Sequence, residues 1–166
     1  MMNWSIVLIE ALIFVILFTC MVMIPTIKNP VSGIHNYPPE IQEEYFKTHE
    51  RVETAPLSRR TLLIKSIALL AFAGILTGGA ILAGADSFGD GFLFGIILFA
   101  VVGAYDTFFL DWVLFAKMKL FRLPGTEHMD KEYAQKWFHL KGMLFPGSLF
   151  AMIIGVLVGL AVMIIA

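Results

Sequence analysis

The chain has 166 residues, of which 58% are hydrophobic and 15% are charged, and its formal net charge is −1. A soluble domain typically carries about 25% charged residues, so a chain this apolar needs lipid as its solvent. The near-neutral charge gives no basis for nucleic-acid binding. The one cysteine, Cys20, leaves no pair for an internal disulfide, a zinc site or thiol redox chemistry.

Four apolar runs are long enough to cross a bilayer. Crossing about 30 Å of hydrocarbon takes about 20 helical residues. Backbone groups in lipid must be hydrogen-bonded within the segment, which favours helices, and the runs lack the alternation of membrane β-strands. We therefore predict an all-α, polytopic membrane protein, a single domain of four transmembrane helices in an antiparallel bundle. The predicted spans are residues 4–24, 61–83, 88–115 and 142–166, and the first ends before Pro25.

Basic residues in the connections predict the orientation of these spans. The two long connections, residues 25–60 and 116–141, carry five and six lysines or arginines, and the short connection "GADSFGD" carries none. Lysine and arginine concentrate in cytoplasmic loops of membrane proteins. We therefore predict that both long loops are cytoplasmic and that both termini lie outside.

Glycines recur four residues apart in three of the predicted spans. This spacing allows helix backbones to approach each other closely. One interpretation is ordinary packing inside the bundle, and the other is a homodimer formed through one of the glycine-rich faces. The lipid bilayer and a second copy of the chain are thus the expected partners. The three pairs are Gly74/Gly78, Gly91/Gly95 and Gly155/Gly159.

Each long loop is predicted to contain a short helix at the membrane surface. In "NYPPEIQEEYFKTHERVE", Pro38 and Pro39 suit the start of a helix. In "LPGTEHMDKEYAQKWFHLKG", Tyr133, Trp137 and Leu140 recur at helical spacing among lysines. Aromatic residues and lysines beside a span are typical of the membrane interface, so anchoring is the expected role of both segments.

Two carboxylates stand out in "YDTFFLD", at the cytoplasmic end of the third predicted span. Asp106 and Asp111 are five residues apart, or about 140° around an α-helix, so they are not expected to share a face. A carboxylate within the hydrocarbon costs about 3 kcal/mol and needs a partner, a proton or a water-filled cavity. Lys65 is the expected partner of either aspartate, and Tyr105 could add a hydroxyl. A buried salt bridge and a polar pocket open to the cytoplasm are the two interpretations.

All four histidines, His35, His49, His128 and His139, occur in the long loops, on the same predicted side as the aspartates. Histidine with carboxylate can form a metal site or an acid–base pair. His139 stands where the second loop enters the fourth span and is predicted to join the pocket. His49 and Glu53, four residues apart, are weak candidates for metal binding, since no HExxH motif or histidine cluster occurs. No motif identifies a cofactor.

Three functions follow from these residues as hypotheses, and whether the chain is an enzyme stays open. In the first, the chain binds or transports a small molecule or lipid through a cytoplasm-facing pocket around Asp106. In the second, it is a membrane-embedded enzyme that acts on a lipid or isoprenoid at the inner leaflet, with Asp106, Asp111 and His139 converging. In the third, it is a non-catalytic subunit of a larger membrane complex. Transport would also use Glu10, near the other end of the bundle. The predicted ligand-binding residues are Asp106, Asp111, Tyr105, Lys65 and His139.

Overall fold

A computed structural model describes residues 2–51 and 58–166, and every regular element in those ranges is helical. This confirms the all-helical prediction. Four of the helical segments are long and apolar enough to cross a membrane, as expected of an integral membrane protein. They are Trp4–Lys28, Arg59–Leu82, Phe88–Phe115 and Asp130–Ile165.

The first helix, α1 (Trp4–Lys28), continues past Pro25, so the predicted end of the first span is wrong. Proline removes one backbone N–H, the expected donor to the Met21 carbonyl, and apolar helices tolerate this loss. Helical hydrogen bonding continues beyond it, since the Asn29 N–H donates to the Pro25 carbonyl at 2.9 Å. The helix therefore extends to Lys28.

The connection after α1 contains a 3₁₀ turn, Pro30–Asn36, and a short helix, α2 (Pro39–Tyr45), which begins at the predicted proline pair. The next long helix, α3 (Arg59–Leu82), starts behind Ser58, whose hydroxyl accepts the Thr61 N–H at 3.1 Å. Serine at this position satisfies one of the free N–H groups of the first turn.

The third span changes its helical type along its length. It begins as α4 (Phe88–Tyr105) and continues as a π-helix over Asp106–Phe115. The π-helix ends with the Ala116 N–H donating to the Asp111 carbonyl, five residues back. A π-helix of this length is unusual, since most are single turns inserted in α-helices.

The fourth segment is broken where one helix was predicted. It consists of α5 (Asp130–Tyr133), α6 (Lys136–Gly142), a distorted turn over Met143–Gly147 and α7 (Ser148–Ile165). Proline disfavours the helical conformation of the residue before it, and Phe145, before Pro146, has φ −154° and ψ 119°. Regular helix within predicted span 142–166 therefore begins only at Ser148. The predicted helix over Tyr133–Leu140 is likewise two helices.

The chain divides into two compact units. Among the described residues, the first contains 2–14, 58–101 and 148–166. Its core is apolar and includes Val7, Leu76, Phe94, Ile154 and Val158.

Two of the three glycine pairs are used inside the first unit. A methyl group added to Gly91 would lie 3.0 Å from the Cα of Gly159, and one added to Gly95 would lie 3.1 Å from the Cα of Gly155. The backbones of α4 and α7 therefore touch at these glycines. The third pair, Gly74 and Gly78 on α3, has no atom of residues 2–51 or 58–166 within 4 Å of the corresponding positions.

The second unit, residues 15–51 and 102–147 of the described chain, has its own core built from the two long connections. The Tyr37 hydroxyl donates to the Phe121 carbonyl at 2.9 Å, and the Tyr133 ring meets the Tyr37 ring edge-to-face. Burial, together with nearby Tyr133, raises the pKa of the Tyr37 hydroxyl well above its usual range. The two basic connections thus pack against each other. The core residues are Ile34, Tyr37, Ile41, Tyr45, Leu123 and Tyr133.

Candidate functional site: a polar cleft beside a π-helix

The π-helix changes the relation between the two aspartates. The expected separation of about 140° applies to an α-helix, in which residues three and four apart are neighbours. Backbone hydrogen bonds in a π-helix join residues five apart, so Asp106 and Asp111 stand about one turn from each other. Asp106 is near enough to Asp111 and to His139 to interact electrostatically with both. The angle of about 140° expected for an α-helix therefore does not apply to these two carboxylates.

Asp111 and His139 form the central contact of the site. The Nδ1 atom of His139 lies 2.8 Å from Oδ2 of Asp111, and the two side chains are only 13% and 16% exposed, respectively. The π-helix supplies the aspartate and α6 supplies the histidine. A carboxylate at this distance orients the imidazole ring. The arrangement is therefore suited to general acid–base chemistry or to holding a polar ligand group.

Beside this pair lies a cleft of about 290 Å³, which we call the π-helix cleft. One wall is the second half of the π-helix with the residues just after it, and the other is the segment from Tyr133 to His139. Aromatic and aliphatic side chains form most of the surface, and a few polar groups converge on it, as is typical of small-molecule sites. The apolar lining residues are Phe108, Trp112, Val113, Ala116, Tyr133 and Ala134. The polar ones are Asp111, Lys117, Gln135, Lys136 and His139.

The cleft has more positive than negative groups. Lys117 and Lys136 line it, and neither ammonium group pairs with a carboxylate in the described ranges. The Nζ atom of Lys136 lies 5.0 Å from the centre of the Trp112 ring, a cation–π distance. The indole nitrogen of Trp112 is buried and has no acceptor among the described residues. Gln135 is tied to Glu40, its amide nitrogen 3.1 Å from the carboxylate.

Arg122 stabilises the wall of the cleft from behind. Its guanidinium group lies 3.9 Å from the centre of the Tyr133 ring. One of its nitrogens, Nη2, donates to the Ala116 carbonyl at 3.0 Å and pairs with the Asp130 carboxylate at 2.9 Å. Tyr133 and Ala116 both line the cleft. The arginine therefore joins the loop after the π-helix to the opposite wall.

The other predicted site residues lie elsewhere. The Tyr105 hydroxyl lies 3.1 Å from the Thr19 hydroxyl, and neither Tyr105 nor Asp106 lines the cleft. Lys65 belongs to α3 in the first unit, where its side chain is exposed. Its predicted pairing with Asp106 or Asp111 stays a prediction.

No metal centre is evident in residues 2–51 and 58–166, where no three histidine, cysteine or acidic side chains are placed to share an ion. His49, one of the two weak candidates, stacks on the Tyr45 ring with 4.0 Å between ring centres. Glu53, the other, lies outside the described residues. The metal prediction therefore gains no support from His49.

Trp112, Lys117 and Lys136 were not predicted as site residues. Their composition predicted a membrane-interface role, because aromatic residues and lysines at the end of a span are typical of the interface. The same composition fits a ligand site, and only the three-dimensional arrangement shows that these side chains surround a cavity.

Comparison of the chain with protein-family models, curated proteins and solved structures finds no match. The cleft is therefore the basis for inferring a function.

Proposed function

We propose that the chain is an integral membrane protein that binds an amphiphilic small molecule or lipid in the π-helix cleft. The observation that carries the proposal is the composition of the cleft. Exposed apolar groups such as Phe108 and Val113 lie beside the polar groups of Lys117, Lys136 and His139. A ligand with an apolar part and a polar part would cover both surfaces, which neither water nor hydrocarbon alone can do.

The proposal includes the orientation predicted from the sequence, with an antiparallel bundle, long loops in the cytoplasm and both termini outside. Support for the bundle comes from the glycine contacts: Gly91 lies against Gly159 and Gly95 against Gly155, so the order of contacts reverses along the two helices. Support for the common side of the long loops comes from their shared core. The cleft then opens at the cytoplasmic end of the third span. Transport is an extension in which Glu10 supplies a second polar site.

The binding proposal is tested by a fluorescence titration. Trp4→Phe with Trp137→Phe leaves Trp112, in the wall of the cleft, as the only tryptophan. The purified protein in an uncharged detergent is titrated with dihexanoyl phosphatidylglycerol, dihexanoyl phosphatidylcholine and dihexanoylglycerol. At least one of the three should give a saturable change in Trp112 emission.

The control variants use two apolar positions near the end of the third span. Val113 lines the cleft, whereas Leu120 is exposed and lies outside the lining. Val113→Phe should fill part of the cavity and weaken binding by about tenfold, while Leu120→Phe should leave it unchanged within about twofold. If none of the three amphiphiles gives a saturable signal, the proposal is wrong.

A second candidate function is an enzyme that uses acid–base chemistry on a lipid or isoprenoid. The specific observation in its favour is the 2.8 Å contact between Asp111 and His139, with Asp106 within electrostatic reach of both. In such an enzyme His139 would move a proton and Asp111 would orient its ring. Incubating the protein with a cell lipid extract, followed by mass spectrometry, should then reveal a product that His139→Gln abolishes while Trp112 still reports binding. Binding without any product would exclude this candidate.

The homodimer remains a proposal, and the contacts direct it to one face. Gly91, Gly95, Gly155 and Gly159 are already in contact inside the first unit, whereas Gly74 and Gly78 have open space beside them. A dimer through α3 should be broken by Gly74→Leu, which light scattering of the purified protein would detect. A native protein that is monomeric in the same detergent would contradict it.

A further inference from the structure

We infer that the ligand of the π-helix cleft carries a negatively charged phosphate group, bound by Lys117 and Lys136. This inference names the ligand class of the proposed binding function and rests on that function. It is carried by the charges around the cleft, by the way the two lysines reach it from different segments, and by the apolar surface beside them.

The charge of the lining is positive whatever the state of His139. The lining contains one acidic side chain, two basic side chains and one histidine, namely Asp111, Lys117, Lys136 and His139. With a neutral histidine the two lysines outweigh the one carboxylate, and with a protonated histidine the excess is larger. Oδ2 of Asp111 contacts His139 at 2.8 Å, and Asp111 forms no ion pair with a lysine in the described ranges. Asp106 and Glu40 add carboxylates behind the lining, so the preference for an anionic ligand rests on the two lysines that line the cleft itself.

The two lysines belong to different walls of the cleft. Lys117 follows the π-helix by two residues, and Lys136 is the first residue of α6. Ammonium groups from two segments suit a phosphate, which offers several oxygens around one centre. The Nζ atom of Lys136 lies 5.0 Å from the centre of the Trp112 ring, so this ammonium group stands at the wall of the cleft.

The apolar surface beside the lysines indicates what the phosphate is attached to. Phe108 and Val113 are 45% and 36% exposed and line the same cleft, and both precede Lys117 on the apolar third span. A hydrocarbon chain on the ligand would cover these side chains while the phosphate stays with the lysines. A phospholipid has this form, and a free phosphate compound shares only the charged part.

The test uses the single-tryptophan protein and the same three amphiphiles, with inorganic phosphate as a fourth probe. Phosphatidylglycerol should bind about tenfold more tightly than phosphatidylcholine or dihexanoylglycerol. Each of Lys117→Gln and Lys136→Gln should weaken phosphatidylglycerol binding by about fivefold, as expected for one lysine near an anionic headgroup. Lys141→Gln is the matched control, because Lys141 is an exposed lysine of α6 that does not line the cleft, and it should leave binding unchanged.

The outcomes separate this inference from the proposed function. Equal binding of all three amphiphiles, unaffected by the lysine substitutions, would overturn the phosphate inference and leave amphiphile binding intact. No saturable binding of any amphiphile would overturn both. If inorganic phosphate competes with phosphatidylglycerol, and this competition depends on the two lysines, the inference is supported and a soluble phosphate compound can also be the ligand. If phosphatidylglycerol binding depends on the lysines and inorganic phosphate does not compete, the inference is supported and the ligand is a lipid.

Discussion

Arg122 shows how a single buried charge can hold two loops together. Its side chain is 3% exposed, stacks on Tyr133 and donates to the Ala116 carbonyl, while its ion-pair partner Asp130 is 75% exposed. Two of its nitrogens, Nε and Nη1, are buried without acceptors in the described chain, which costs stability. We expect the stacking on Tyr133 and the two charge-assisted hydrogen bonds to outweigh this cost.

We therefore expect Arg122→Met to lower the free energy of unfolding by about 2 kcal/mol. Asp130→Asn should change it by less than about 0.5 kcal/mol, because the carboxylate is mostly in water. Denaturant titration of the purified protein, followed by tryptophan fluorescence, measures both. Equal losses from the two variants would mean that the ion pair, and not the stacking, provides the stability.

Glu10, in the first unit, resembles Arg122 in having a buried polar atom without a hydrogen-bond partner among the described residues. Its Oε2 atom accepts no hydrogen bond from the described residues, and its Oε1 would lie 3.1 Å from a methyl group added at Gly79. Glu10→Met keeps the length of the side chain and removes the polar group, so it should raise the free energy of unfolding by about 1–3 kcal/mol. Thermal unfolding in detergent, with Glu10→Gln as the polar control, provides the measurement. A loss of stability in Glu10→Met would show that the carboxylate has a bound partner.

At the scale of the elements, the glycines of α4 and α7 allow two backbones to touch. A methyl group at Gly91 would lie 2.8 Å from Cγ2 of Val162, and one at Gly159 would lie 2.8 Å from the Phe88 carbonyl oxygen. Both distances are too short for carbon, so the helices would have to separate. The open space beside Gly74 requires no such movement.

Gly91→Ala and Gly159→Ala should therefore each lower the free energy of unfolding by about 1–3 kcal/mol, as overpacking does. Gly74→Ala should be neutral or slightly stabilising in a monomer, because alanine favours helix more than glycine does. Chemical denaturation of the three variants, under identical detergent conditions, compares them. A large loss in Gly74→Ala would indicate a close contact at α3 with another chain, as the proposed homodimer requires.

The π-helix is the element that the sequence did not reveal. The apolar periodicity of "DTFFLDWVLF" fits any helix in a membrane, because lipid surrounds it and no polar face marks the number of residues per turn. The side of the helix on which Asp111 lies can therefore be assigned only from the backbone hydrogen bonds of the structure. Pro146 did carry a signal, since it restricts the residue before it, yet proline alone does not predict a break: α1 continues through Pro25.

At the scale of the whole molecule, the proposed orientation requires both long connections on one side of the membrane. Cys20→Ser removes the only cysteine, after which single cysteines can be placed at exposed positions. Lys47→Cys and Lys131→Cys mark the two long connections, and Gly89→Cys lies next to the short one. A membrane-impermeant maleimide applied to intact cells should label only Gly89→Cys, and permeabilised cells should allow labelling of all three. Labelling of Lys47→Cys and Lys131→Cys from opposite sides would contradict the proposal.

Four long helices and the basic character of the two long connections follow from the sequence alone. Apolar length and the count of lysines and arginines are local properties that do not depend on which segments meet. The cleft depends on contacts between segments far apart in sequence. Asp111 meets His139 because α6 packs against the π-helix, and Tyr37 donates to Phe121 because the two long connections fold against each other. The sequence shows His139 and the two aspartates as polar groups in or beside an apolar span. The π-helix and the non-local packing decide which of these groups touch and which lysines lie beside them.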